Sequence, residues 1–144
     1  MDSEFNDNID KLIAAYPIVF KNVDKTTYSD LPDGWYELVD KLCADISELL
    51  EAELKNNPDS SEEPLFSVLQ IKEKFGGLRF YFMMNTKNDT LHKQVQNLVD
   101  VAEDASYSMC QETGKPGVLC KKNSHYQTYC EDIRNERGYR IIGN

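Results

Sequence analysis

The chain has 144 residues, of which 40% are hydrophobic and 28% charged, and its formal net charge is −9. A chain of this length buries roughly two-thirds of its unfolded surface around one core, and these proportions exclude a fibrous repeat and wholesale disorder. No stretch approaches the roughly 18 apolar residues of a membrane span, and the opening Met1-Asp-Ser-Glu-Phe-Asn-Asp is acidic where a secretory leader is basic and then apolar, so a soluble cytoplasmic protein with no membrane contact is expected.

In chain order, residues 4–16 place Phe5, Ile9, Ile13 and Tyr16 at helical spacing, and Pro17 ends that helix. Ile18, Val19 and Phe20 then lead into a polar stretch, residues 21–33, that reads as a loop with turns. The strongest helical pattern follows: Trp35, Leu38, Val39, Leu42, Ile46, Leu49, Leu50 and Leu54 recur every three or four residues. Asp33 is its expected N-cap, and Asn56-Asn57-Pro58 its stop. Cys43 falls inside this pattern as a small buried hydrophobe. The opposite face carries Glu37, Asp40, Glu48 and Glu51, which form either a solvated surface or a docking surface.

After a polar linker at residues 59–64, two β-rich runs, 66–74 and 78–84, flank Phe75-Gly76-Gly77 and predict an antiparallel hairpin. Strict alternation puts Val68, Gln70 and Lys72 on one face and Leu69 and Ile71 on the other. On the return strand it sets Leu78, Phe80 and Phe82 against Arg79 and Tyr81. A third helix runs from Thr90 to about Ser108, capped by Asp89 or Thr90, with Leu91, Val95, Leu98, Ala102 and Ala105 on one side. The remainder is turn-rich around Gly114-Lys-Pro-Gly117, with short β-prone pieces at residues 118–119 and 126–129 and a mixed-charge tail. The expected fold is therefore one α+β domain spanning residues 1–144. A small antiparallel hairpin or sheet packs against two long helices, with a short N-terminal helix. Residues 1–108 form the core and 109–144 an irregular, cysteine-containing subregion.

Residues 1–66 hold 16 acids against 5 lysines, a net of −11, whereas residues 67–144 hold 9 acids against 11 bases, a net of +2. The first half repels phosphate backbones, which disfavours direct nucleic-acid binding there, and attracts a basic protein partner. The string Lys72-Glu-Lys-Phe-Gly-Gly-Leu-Arg-Phe-Tyr81 lacks the Lys-Ser/Thr and the following helix of a phosphate-cradling loop, so its glycines are read as a tight turn.

This string, together with Tyr16-Pro17 and Phe20, Gly34-Trp35 opening a long helix, and Gly114-Lys-Pro-Gly117, resembles a group of small uncharacterised proteins of tailed phages, prophages and bacteria. The resemblance covers residues 16–133. It implies a C-terminal zinc knuckle built from two Cys-x-x-Cys pairs. Here Cys110 and Cys130 match the first position of each pair, but Thr113 and Ile133 stand at the second positions. A structural zinc needs four ligands, which Cys120 and His125 would complete, so Cys110, Cys120, His125 and Cys130 are the candidate set. The alternative is no cofactor, with packing retained and Cys110 and Cys130 left as neighbours able to form a disulfide on oxidation.

Catalytic signatures are thin: a Cys-His pair such as Cys120 or Cys130 with His125 lacks an evident orienting group. The expectation is a non-enzymatic acidic protein-binding module contacting its partner through Glu37, Asp40, Glu48 and Glu51. In a phage or mobile element this suits an inhibitor of a basic, nucleic-acid-handling host defence protein. The alternatives are a toxin-immunity protein or a zinc-stapled nucleic-acid accessory module. The latter would use Lys115, Lys121, Lys122, Arg134, Arg137 and Arg140 for phosphate contacts.

Overall fold

A computed structural model describes residues 3–21, 31–57 and 64–142, with side chains from residue 8 onward. The loop expected at residues 21–33, the linker at 59–64 and the side chain of Phe5 thus lie wholly or largely outside the described residues. Helices α1 (Ser3–Ala15) and α2 (Tyr36–Asn56) precede strands β1 (Phe66–Lys74) and β2 (Gly77–Met84), and α3 (Asp89–Ser106) follows. A second sheet comprises β3 (Val118–Lys122), β4 (His125–Tyr129) and β5 (Arg140–Ile141), with α4 (Glu131–Arg137) between the last two. The architecture is α+β, as the periodicities predict. None of the described helices is long and apolar enough to cross a membrane.

The main core lies between the inner face of the β1–β2 hairpin and the apolar stripes of α2 and α3. Val39, Leu42, Cys43, Ile46 and Leu50 of α2 meet Leu91, Val95, Val99 and Ala102 of α3, with Phe66, Val68, Ile71, Leu78 and Phe80 from the strands. Each fully buried aliphatic or aromatic side chain of this kind contributes about 1.5–3 kcal/mol. Cys43 behaves as a small hydrophobe, and burial drives its thiol pKa far above the ordinary range.

Three local expectations are corrected. Asp33 does not cap α2: it opens a short 3-10 turn, Asp33–Trp35, and its carboxylate accepts instead from Asn8 Nδ2 at 3.1 Å. The cap of α3 is Asn88, whose side chain accepts from Leu91 N–H, one residue ahead of the expected Asp89 and two ahead of the alternative Thr90. A bulge between Val68 and Gln70 breaks the alternation of β1, because inserting one residue shifts every later side chain to the other face. Val68 and Ile71 are thereby both buried and Leu69 is thrown outward. The outer edge of β2 is closed by α3: Leu78 N–H donates to Ser106 Oγ and Phe80 N–H to Glu103 Oε2, each at 2.9 Å. Burial raises the Glu103 pKa, opposed by the Phe80 N–H and by Arg79.

The C-terminal subregion is more regular than expected. Its strands pair in the order β4-β3-β5, and α4 ends at Gly138 in the left-handed region, φ 76°. Two clips hold this sheet to the rest. At the start of α2, Gly34 N–H donates to Gln111 O at 2.7 Å and Trp35 Nε1 to Met109 O at 2.9 Å. At the hairpin tip, Thr128 Oγ1 donates to Gly76 O at 2.7 Å. Gln111 ties the two together by accepting from Thr128 N–H and donating to Gln127 Oε1.

A Cβ at Gly34 would lie 2.1 Å from the Cys110 carbonyl oxygen. Gly34→Ala is therefore expected to destabilise the protein by about 1–3 kcal/mol through overpacking, measured by urea unfolding. An unchanged midpoint would contradict the close docking of α2 on the cysteine turn.

Candidate functional site

The outward face of α2 carries Glu37, Glu48 and Glu51, all exposed. Positions 37, 48 and 51 are separated by 11 and 3 residues, which at 3.6 residues per turn keeps all three within about 60° of one another, so they project on one side. Asp40 behaves differently: it is half-buried and accepts from the Tyr16 hydroxyl at 2.8 Å, joining α2 to α1. That hydrogen bond, with burial and the carboxylate's charge added, pushes the Tyr16 pKa up to about 12. The face is not purely acidic. Lys41 and Lys55 are also exposed on it, and Lys41 pairs with Asp45 at 3.0 Å, an exposed i,i+4 contact of small energetic weight.

Next to Glu48, α2 and α3 leave an open groove of about 350 Å³ lined by Asp45, Glu48, Leu49, Gln94, Asn97 and Leu98. Two leucines form an apolar floor, two carboxylates supply charge, and two primary amides supply donors and acceptors. Of these residues the helical pattern singled out Glu48 for contact. Asp45 is one turn from it, but Gln94 and Asn97 join the site only because α3 packs alongside α2, a pairing absent from either helix's own sequence.

Cys110, Cys120 and Cys130 are all buried and free, and they pack with Tyr129 in a small second core against Ile133 and Tyr139. Burial pushes the Cys110 thiol up, but the Thr113 hydroxyl and the N–H groups of Cys130, Thr113 and Glu112 outweigh it and leave the pKa below its ordinary value. The same Thr113 hydroxyl lies 3.7 Å from Cys130 Sγ, so it fills the space beside both sulfurs. Cys120 Sγ donates to Gln127 O at 3.2 Å, and burial raises its pKa. His125 is exposed at the outer end of β4, paired with Lys122. Among the described residues no group of three or more His, Cys, Asp or Glu is placed to hold a metal. The three thiols share a cluster, but His125 does not complete it, and Thr113 and Ile133 bring no ligand.

The basic residues of this half divide in two. Arg134 donates to Tyr129 O, while Arg137 bonds Glu112 and the Tyr129 hydroxyl and lies over the Tyr129 ring, so both brace the second core. Lys122 Nζ reaches Arg137 O. Lys115, Lys121 and Arg140 are exposed. His92, the other histidine, tilts against Phe82 on the exposed side of α3. Compared with protein-family models, curated proteins and solved structures, the chain shows no significant match.

Two outcomes are expected. Because the folded Tyr16 pKa is raised from 10.0 to about 12, its contribution to stability is complete below pH 10 and is lost as pH rises through about 12. The stability gap between wild type and Tyr16→Phe should accordingly narrow across that window in urea titrations, and a constant gap would contradict the Tyr16–Asp40 bond. For the thiol cluster, packing alone predicts an unchanged melting temperature after chelator treatment, whereas a fall of several degrees would show that metal holds it.

Proposed function

We propose that the chain is a non-enzymatic protein-binding module that takes a basic segment of its partner along the acidic face of α2 and into the α2–α3 groove. The observation that supports this most directly is the convergence, at Glu48, of a helix face bearing Glu37 and Glu51 with a groove that offers both apolar floor and carboxylates. A cationic side chain with an aliphatic stem suits that chemistry: the stem lies on Leu49 and Leu98 while the charged head meets Asp45 and Glu48. Asp40 contributes through Tyr16 to holding α2 in place instead of to contact. Fully exposed charges give little affinity by themselves, so the groove supplies desolvation and the surrounding acids supply steering.

In the phage or prophage setting that the sequence resemblance implies, the partner of matching chemistry is a nucleic-acid-handling host defence protein, whose positive cleft the acidic face would occupy as a mimic of phosphate. An immunity protein that neutralises a basic toxin would use the same surface. The burial of all four thiols, away from reagents and from the exposed imidazoles, favours binding over cysteine-based catalysis.

Replacing Glu37, Glu48 and Glu51 together by Lys is expected to abolish capture of the partner from host lysate at moderate salt while leaving the circular dichroism and melting temperature near wild type. Raising the salt should weaken the wild-type complex as well. Capture of the same proteins by the triple variant would refute the assignment. Identification of the captured protein by mass spectrometry separates a defence protein from a toxin.

A further inference from the structure

A second surface, independent of the acidic groove, lies where the tips of the two hairpins meet. The β1–β2 turn has only two central residues, Phe75 and Gly76, between Lys74 and Gly77, and both adopt positive φ, 54° and 86°. Glycine or asparagine suits such a turn, whereas a bulky residue there is strained. Phe75 gains little burial in return, since it is 64% exposed. Gly76 is where it must be, because a Cβ would come within 2.5 Å of the Leu119 side chain. A strained, solvent-facing aromatic on a firmly docked turn is a feature to be explained by what the ring can meet.

Its surroundings are aromatic and cationic. The Phe75 ring meets Tyr126 of β4 edge-on, with centroids 6.4 Å apart and planes at 85°. Lys74 Nζ lies 5.8 Å from the Phe75 centroid, and Lys121 Nζ lies 5.3 Å from the Tyr126 centroid. Lys121 sits in β3 directly between Tyr126 of β4 and Arg140 of β5, so Arg140 extends the same face. Lys72 precedes Lys74 by two on β1 and projects on the same side. The nearby acid, Glu73, is turned to the backbone, where it accepts the Gly76 N–H at 2.7 Å.

We propose that this surface binds single-stranded nucleic acid, with Phe75 and Tyr126 as base-stacking platforms and Lys72, Lys74, Lys121 and Arg140 on the phosphates. An exposed Phe75 beside a half-buried Tyr126, both bracketed by cations, is the kind of combination that non-sequence-specific single-strand binders use, since every base presents a π face and every nucleotide a charge. A duplex keeps its bases stacked inside and leaves Phe75 nothing to meet. The attraction is local, because the whole chain carries −9, and it is therefore strongly sensitive to salt. The site lies wholly within residues 67–144, the half with net +2, and does not involve the groove between α2 and α3.

The test is fluorescence anisotropy of the full chain with a labelled oligothymidine of about 12 nucleotides at low salt. Saturable binding is expected. Phe75→Gly, which suits the turn and should hold or raise the melting temperature, is expected to weaken binding about tenfold. Lys74→Glu with Lys121→Glu should lower the slope of log affinity against log salt by roughly 0.7 for each phosphate that is no longer neutralised. The Glu37, Glu48 and Glu51 charge-reversal variant should still bind, which separates this site from the acidic one. No binding, or binding that Phe75→Gly leaves unchanged, overturns the proposal. Equal or tighter binding of heparin or phosphatidylserine vesicles, without dependence on Phe75, overturns it in favour of a general polyanion or membrane surface.

Discussion

The clip between the start of α2 and the cysteine turn is the contact on which the rest of the molecule depends. Gly34 has no side chain because the Cys110 carbonyl occupies the space a Cβ would need. Trp35, fully buried, uses its indole N–H to satisfy the Met109 carbonyl. A large apolar side chain and a backbone hydrogen bond are thereby joined at one point, and leaving that carbonyl unpaired in the interior would cost about 1–3 kcal/mol. Gln111, next in the turn, relays the connection to Thr128, and Thr128 relays it to Gly76. The two most distinctive strings of the chain, Gly34-Trp35 and Phe75-Gly76-Gly77, are in this way anchors for one and the same sheet.

This arrangement separates the charges of the molecule in space as well as along the chain. The carboxylates of α2 flank a groove shared with α3, whereas Lys74 and Lys121 lie over the rings of Phe75 and Tyr126 at the hairpin tips. Several charged groups serve the fold instead. Asp40 accepts from Tyr16, Glu103 closes the edge of β2, Glu73 caps the turn, and Arg134 and Arg137 brace Tyr129. Apart from them, the α2–α3 groove joins carboxylates to an apolar floor, and the hairpin tips join lysines to aromatic rings. A basic partner on one and a single strand on the other would make the protein suited to sit on a nucleic-acid-handling complex.

The cysteine turn is held by hydrogen bonds to sulfur and by apolar packing. Thr113 places its hydroxyl beside both Cys110 and Cys130. Backbone N–H groups of Glu112, Thr113 and Cys130 point at the Cys110 sulfur. Tyr129, Tyr139 and Ile133 supply apolar contact around the thiols.

The sequence by itself determined the features that depend on near neighbours: the helical stripes of α1, α2 and α3, the hairpin around Phe75-Gly76, the role of Cys43 as a core residue and the uneven charge. Periodicity and turn chemistry are local, so they are legible without a fold. Only the tertiary structure decided the bulge that exposes Leu69, the regular C-terminal sheet, the diversion of Asp40 to Tyr16 and the exposure of His125 away from the thiols. It also decided the partnership of Glu48 with Gln94 and Asn97, and that of Phe75 with Tyr126. Each of these rests on residues far apart in the chain whose proximity is set by how the helices and hairpins pack, and no spacing within a single element encodes that.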